Sequence, residues 1–171
     1  VTALSRALSR LGKAAALTAG LLAAGTVAGR PDDPEYYRSL RQAPYAPPPV
    51  AFGPAWTIAK LGWSVSVLQA AKTVRGRDRK RLVALAAVDA AVYVSFSYAY
   101  FRKKSPVLAA AWTATDAVVT AAALPLLARN DRTAAVALLP QAVWLTLATP
   151  VAVYQAQANP DPIFGDRLVS R

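Results

Sequence analysis

Three ionisable residues, Lys60, Asp89 and Asp116, stand inside otherwise apolar runs of this 171-residue chain. An ionisable group at the centre of a membrane span costs at least ~2.5 kcal/mol, so it faces a bundle interior, water or a partner charge. Lys60 has two readings: its stem snorkels to the headgroups, or its ammonium faces a pocket and pairs with an acidic ligand group. Asp89 either neutralises the basic cluster from Arg79 to Arg81 or faces that same interior. Asp116 lies deeper, which favours an internal hydrogen-bonded role. Tyr45, Trp56, Trp63, Trp112 and Trp144 either line a slot that stacks a flat macrocycle or serve as packing and interfacial belt residues. The chain has no Cys, Met or His. Disulfides, thiolate chemistry, the common haem axial ligands and the usual general base are therefore excluded. No nucleophile–base pair or metal triad stands out, so an ordinary hydrolase or transferase is not expected.

The elements that must position these residues are helical. Apolar residues make up 55% of the chain and charged residues 17%, and runs of about twenty apolar residues recur along it. We read an all-α membrane protein, one domain over 1–171, a single five-transmembrane-helix bundle with spans near 11–29, 54–71, 82–101, 107–128 and 133–158. A loop over 30–53 and a polar tail over 159–171 complete it. The first apolar run follows Arg6, Arg10 and Lys13, a pattern that also describes a signal peptide. Pro44, Pro47, Pro48 and Pro49 forbid a helix through the middle of the first loop, and Pro54 suits the first turn of helix 2. Pro140 and Pro150 predict kinks in helix 5. Counted from starts at 54 and 82, Lys60 and Asp89 each lie two turns into consecutive antiparallel helices. They then begin near opposite membrane faces, and a direct salt bridge between them does not follow from their positions. The net charge of +11 clusters between apolar runs, which points to anionic lipid headgroups and not to nucleic acid. The tract KTVRGRDRKR at 72–81 tips the basic balance toward a cytoplasmic amino terminus. Tyr93, Phe96, Tyr98, Tyr100 and Phe101, beside the basic residues 102–104, read as an interfacial belt. Ala84, Ala87 and Ala91 share one helix face, for a homodimer or for packing in their own bundle.

The first loop, YYRSLRQAPYAPPPVAFGPAWT at 36–57, resembles the translocator protein family, also called tryptophan-rich sensory proteins or peripheral benzodiazepine receptors. Tyr37, Leu40, Pro47, Pro48, Phe52, Gly53, Trp56 and Thr57 match that family's loop motif, while Tyr36 and Tyr45 stand where it has Trp and Ala43 where it has Pro. Thinner matches follow in order: Phe96-Ser97 with Tyr100-Phe101, then Trp112 with Asp116, then Leu138-Leu139-Pro140, Trp144, Ala148 and Asn159. The resemblance spans about residues 10–160. It implies a divergent bacterial-type member in the cell membrane, with the first loop as a lid over a pocket for tetrapyrroles such as protoporphyrin or haem, sterols and synthetic aromatic ligands. By family position the ligand-binding set is Tyr45, Phe52, Trp56, Lys60, Asp89, Tyr93, Trp112, Trp144 and Ala148, with no catalytic residue, metal or obligatory cofactor. A haem would need a tyrosinate or no axial ligand, so metal-free porphyrin fits as well. The chain departs from the family at Lys60, Asp89, Tyr93, Pro140-Gln141 and Val151-Ala152, which puts the ligand's identity in doubt. A porphyrin-degrading photoenzyme and a structural subunit of a membrane complex are the alternatives. A sterol-type pattern, Val94, Tyr98 and Arg102 at V-x3-Y-x3-R spacing, is common by chance in an aromatic helix end.

Overall fold

A computed structural model describes residues 3–29 and 35–165. The parts of the first loop and tail at 30–34 and 166–171 lie outside the described residues. Six α-helices are present there: α1 (Ala3–Ala28), α2 (Tyr36–Ser39), α3 (Pro49–Thr73), α4 (Gly76–Ser97), α5 (Pro106–Asn130) and α6 (Arg132–Ala158). A π-helical turn, Tyr98–Arg102, continues α4. No strand occurs among the described residues, only an isolated bridge between Asp161 and Gly165. Four helical stretches are long and apolar enough to cross a membrane: Leu8–Ala28, Gly76–Arg102, Pro106–Asn130 and Arg132–Ala158. The fifth long helix, α3, has 25 residues, enough for ~37 Å, but Lys60, Gln69, Lys72 and several hydroxyls dilute its apolar character.

The helix starts differ from the sequence expectation in one consequential way. Helix α3 begins at Pro49, with Pro48 as its cap, so Pro49 occupies the tolerated first-turn position and Pro54 lies within the helix. The basic tract is not a loop either. Only Val74 and Arg75 separate α3 from α4, and Gly76, at φ +61°, takes a left-handed conformation that glycine adopts without strain. The next junctions are capped. Ser105 accepts a hydrogen bond from the Leu108 amide at the start of α5, and Asp131 accepts one from the Ala134 amide at the start of α6, each satisfying a donor the first turn leaves open. Helix α6 runs on through Pro140 and Pro150.

The five long helices form a closed ring. Helix α6 lies between α3 and α5, α5 packs on α4, and α1 closes the circuit against both α3 and α4, which barely touch each other. Close approach of α3 to α6 depends on Gly62, where a Cβ would come within 2.5 Å of the Ala137 carbonyl oxygen. At one end of the ring Trp63, Val74, Leu127 and Leu138 pack as a core. At the other end Tyr36, Tyr100 and Ala109 do so. Ala84, Ala87 and Ala91 are exposed on the outer surface of α4, so they do not pack within the bundle.

Candidate functional site

The ring's interior is not uniformly apolar. Lys60 is wholly buried, and its Nζ lies 2.9 Å from Asp89 Oδ2 and 3.3 Å from Asp116 Oδ2. The other oxygen of each carboxylate accepts from Gln141, whose Nε2 is 2.5 Å from Asp89 Oδ1 and 3.2 Å from Asp116 Oδ1, and 2.8 Å from Thr120 Oγ1. Thr18 of α1 donates to Ser64 Oγ at 2.9 Å, beside the Lys60 carbonyl. All five long helices thus contribute to one polar layer. The ammonium also rests against aromatic faces, 4.7 Å from the Tyr93 ring centre and 5.7 and 5.9 Å from Trp63 and Trp56, an attraction to the ring quadrupole that strengthens with desolvation.

This layer decides between the readings left open. Lys60 does not snorkel, and Asp89 does not serve the basic tract, where Asp78 pairs instead with Arg129 at 3.2 Å and Arg81 at 3.7 Å. The direct salt bridge exists because of the helix starts. With α3 ending at Thr73 and α4 beginning at Gly76, Lys60 and Asp89 are each thirteen residues from the same turn, ~20 Å deep. Counting from starts at 54 and 82 had placed them at different depths.

On one side of the layer, toward the first loop, lies a cavity of about 500 Å³. Its walls include Phe52 and Trp56 of α3, Tyr93 of α4, Trp112 of α5 and Ala148 of α6, with Asp116 at its floor. On the other side, toward the basic α3–α4 turn, a cavity of about 170 Å³ is lined mainly by aliphatic side chains, with Asp89 and Thr120 at its inner end. The polar layer separates the two.

Of the residues singled out from sequence, Phe52, Trp56, Tyr93, Trp112 and Ala148 meet around the larger cavity. Lys60 sits beneath it in the layer and Asp89 faces the smaller one. Trp144 stands behind the wall, its ring edge-to-face with Phe52 and Trp56 at 5.6 and 5.9 Å. Tyr45 is half exposed and packs on Tyr154 at 6.4 Å, donating to the Pro150 carbonyl. It secures the loop to α6 and does not line the cavity.

Sequence reasoning missed Tyr37, Gln155 and the cavity role of Tyr100. Read as a belt residue, Tyr100 is 4% exposed and donates to Gln155 Oε1 at 2.8 Å. Gln155 Nε2 in turn donates to Gln42 Oε1 at 2.6 Å, joining α4, α6 and the first loop. The π turn, which no residue pattern announced, turns Tyr100 inward while Tyr98 remains exposed. Asn159 grips the same loop from both sides, accepting from the Arg41 amide at 2.7 Å and donating to its carbonyl at 3.1 Å. The signals available were the family matches at Tyr37, Tyr100 and Asn159. Among the described residues no group of three His, Cys, Asp or Glu could hold a metal.

A closed ring of long helices, four of them long and apolar enough to cross a membrane, defines an all-helical integral membrane protein. Residues 14–156 match the TspO/MBR family, and the chain belongs to that family. It is also 30% identical over 122 residues, 70% of this chain and 77% of the other, to a Bacillus subtilis (strain 168) protein named "Uncharacterized membrane protein YtaB".

Proposed function

We propose that this protein binds a flat hydrophobic ligand within the membrane, in the 500 Å³ cavity under its first loop. The observation that carries this reading is the cavity itself, whose size falls in the range of small-molecule sites and which eight aromatic residues help to line. Helix α3 then acts as a fifth span and the described part of the first loop, residues 35–48, as a lid. Tyr37 of this loop reaches the cavity, as do Pro49 and Phe52 at the start of α3, while Tyr45, Gln42 and Arg41 tie the loop to α6. The basic α3–α4 turn then faces anionic headgroups on the cytoplasmic side. A tetrapyrrole is the first ligand to test, since family resemblance and the facing rings of Trp56, Tyr93, Phe96 and Trp112 both suit a planar macrocycle.

Titration of the full chain in detergent with metal-free protoporphyrin, read by tryptophan fluorescence, is expected to give saturable quenching. Trp56→Ala or Trp112→Ala is expected to weaken it at least tenfold. Unsaturable quenching, identical in both variants, would exclude the cavity as the site.

A further inference from the structure

The polar layer carries one ammonium and two carboxylates, all with side chains 0–2% exposed, for a formal charge of −1. An uncompensated charge at mid-depth is costly, so a proton or a cation must balance it. Among the described residues lining the larger cavity, Asp116 alone is charged. Lys60 is not among them: its ammonium lies below the floor, between Asp89 and Asp116 and against the Tyr93 ring. The layer therefore meets the cavity at Asp116, and the ammonium available from sequence for an acidic ligand is already taken. The rings of Trp56, Tyr93, Phe96 and Trp112 line the same cavity, and aromatic π faces attract cations and not anions.

We propose that the cavity takes a hydrophobic organic cation, an aromatic amine or onium ion, whose charge lies against Asp116 and whose binding releases one proton from the Asp89–Asp116 pair. The inference rests on the cavity being a ligand site and specifies the charge of the ligand. Without ligand, a proton held by the two carboxyls offsets the excess charge. When the cation enters, that proton leaves through the cavity to water, and the charge of the filled site is unchanged. The charged and titratable groups facing the pair are Lys60 from α3, and Asp89 with the Tyr93 phenol from α4. Among the described residues, α6 presents the neutral Gln141 to the pair and α1 places the neutral Thr18 beside the layer. Arg79 lines the far cavity, ten residues or ~15 Å along α4 from Asp89. A ligand carboxylate placed at the floor would find no free opposing charge, because Lys60 is already paired with Asp89 and Asp116, so an acidic ligand must turn its carboxylates away from Asp116.

The test uses the full chain in detergent, with tetraphenylphosphonium as cationic probe, neutral triphenylphosphine oxide as its uncharged counterpart, and empty micelles as background. Tryptophan fluorescence gives affinity, and calorimetry in two buffers of different ionisation enthalpy gives proton release. The cation is expected to bind about tenfold more tightly per pH unit where the proton is held, with close to one proton released. The neutral probe should bind more weakly, without pH dependence. Asp116→Asn leaves Lys60 and Asp89 as a balanced pair. It is expected to weaken the cation at least tenfold, by more than it weakens the neutral probe, and to abolish proton release. Should that variant fail to fold, the two-buffer measurement on the unaltered chain still decides. Cation binding that is independent of pH, or no tighter than that of the neutral probe, overturns the inference. If protoporphyrin or the neutral probe then still binds saturably, the ligand site stands and only its charge preference falls. If nothing binds, both readings fall.

Discussion

Removing the Lys60 ammonium leaves two carboxylates sharing Gln141 at mid-depth with no opposing charge. Lys60→Met is therefore expected to destabilise the bundle by about 3–5 kcal/mol, the usual consequence of breaking a buried pair from one side. Thermal unfolding in detergent measures this. Adding Asp89→Asn and Asp116→Asn to Lys60→Met is expected to recover most of the loss, because the layer is then neutral and still hydrogen-bonded. No recovery would mean that packing of the lysine stem, not charge, holds the layer. Lys60, Asp89 and Gln141 each looked like a separate departure from the family pattern. Together with Asp116 they are one arrangement, in which Gln141 directs its amide nitrogen to both carboxylates and each change makes the others tenable.

Two junctions between elements lend themselves to direct measurement. Gly62 lets α3 approach α6, and Gly62→Leu forces a side chain onto the Ala137 carbonyl and the Pro140 ring. Overpacking of this kind costs typically 1–3 kcal/mol, and a lower melting temperature with the ring distorted is the expected result. Asp161 forms the second junction. Its Oδ2 accepts from the Ser105 hydroxyl at 2.6 Å and the Val107 amide at 3.0 Å, and its Oδ1 from the Ile163 and Phe164 amides. Burial pushes this carboxyl up, but those donors outweigh it and hold it below the usual carboxylate range. The folded value being depressed, the clamp stabilises fully above the unfolded value of ~3.9 and is lost as pH falls through the folded one. Asp161→Asn is expected to cost about 1.5–3 kcal/mol at neutral pH and to flatten the stability profile below pH ~4. An unchanged acid limb would show that other carboxylates set it. Ser105 and Asp131 were not identified as helix caps from sequence, although both are residue types that cap well.

At the scale of the molecule, α3 is expected to cross the bilayer as a fifth span. The chain has no cysteine, so single cysteines report without background. Val50→Cys, at an exposed position near the start of α3, and Lys72→Cys, near its end, are expected to react with a membrane-impermeant maleimide from opposite faces of sealed vesicles. Reaction of both from one face would refute a crossing. Much of the architecture was legible beforehand. The helical membrane class came from apolar run lengths, and the family from the order of aromatic and proline residues between Tyr37 and Thr57. Helix starts were less so, because the basic tract at 72–81 carries loop composition yet is mostly helical, and that error moved Lys60 and Asp89 apart in depth.

The sequence by itself determined which residue types could do chemistry. It placed Lys60, Asp89 and Asp116 in apolar runs, gave an aromatic set including Phe52, Trp56, Tyr93 and Trp112, and withheld histidine, cysteine and methionine. Only the tertiary structure decided what each of them faces. Ring closure with α3 and α4 apart brings their side chains, with those of α5 and α6, to one depth. There two carboxylates enclose the lysine, and the cavity is left with Asp116 at its floor. Burial direction and depth depend on where helices begin and which neighbours they meet, and these are properties of the packed ring that no local run of residues encodes.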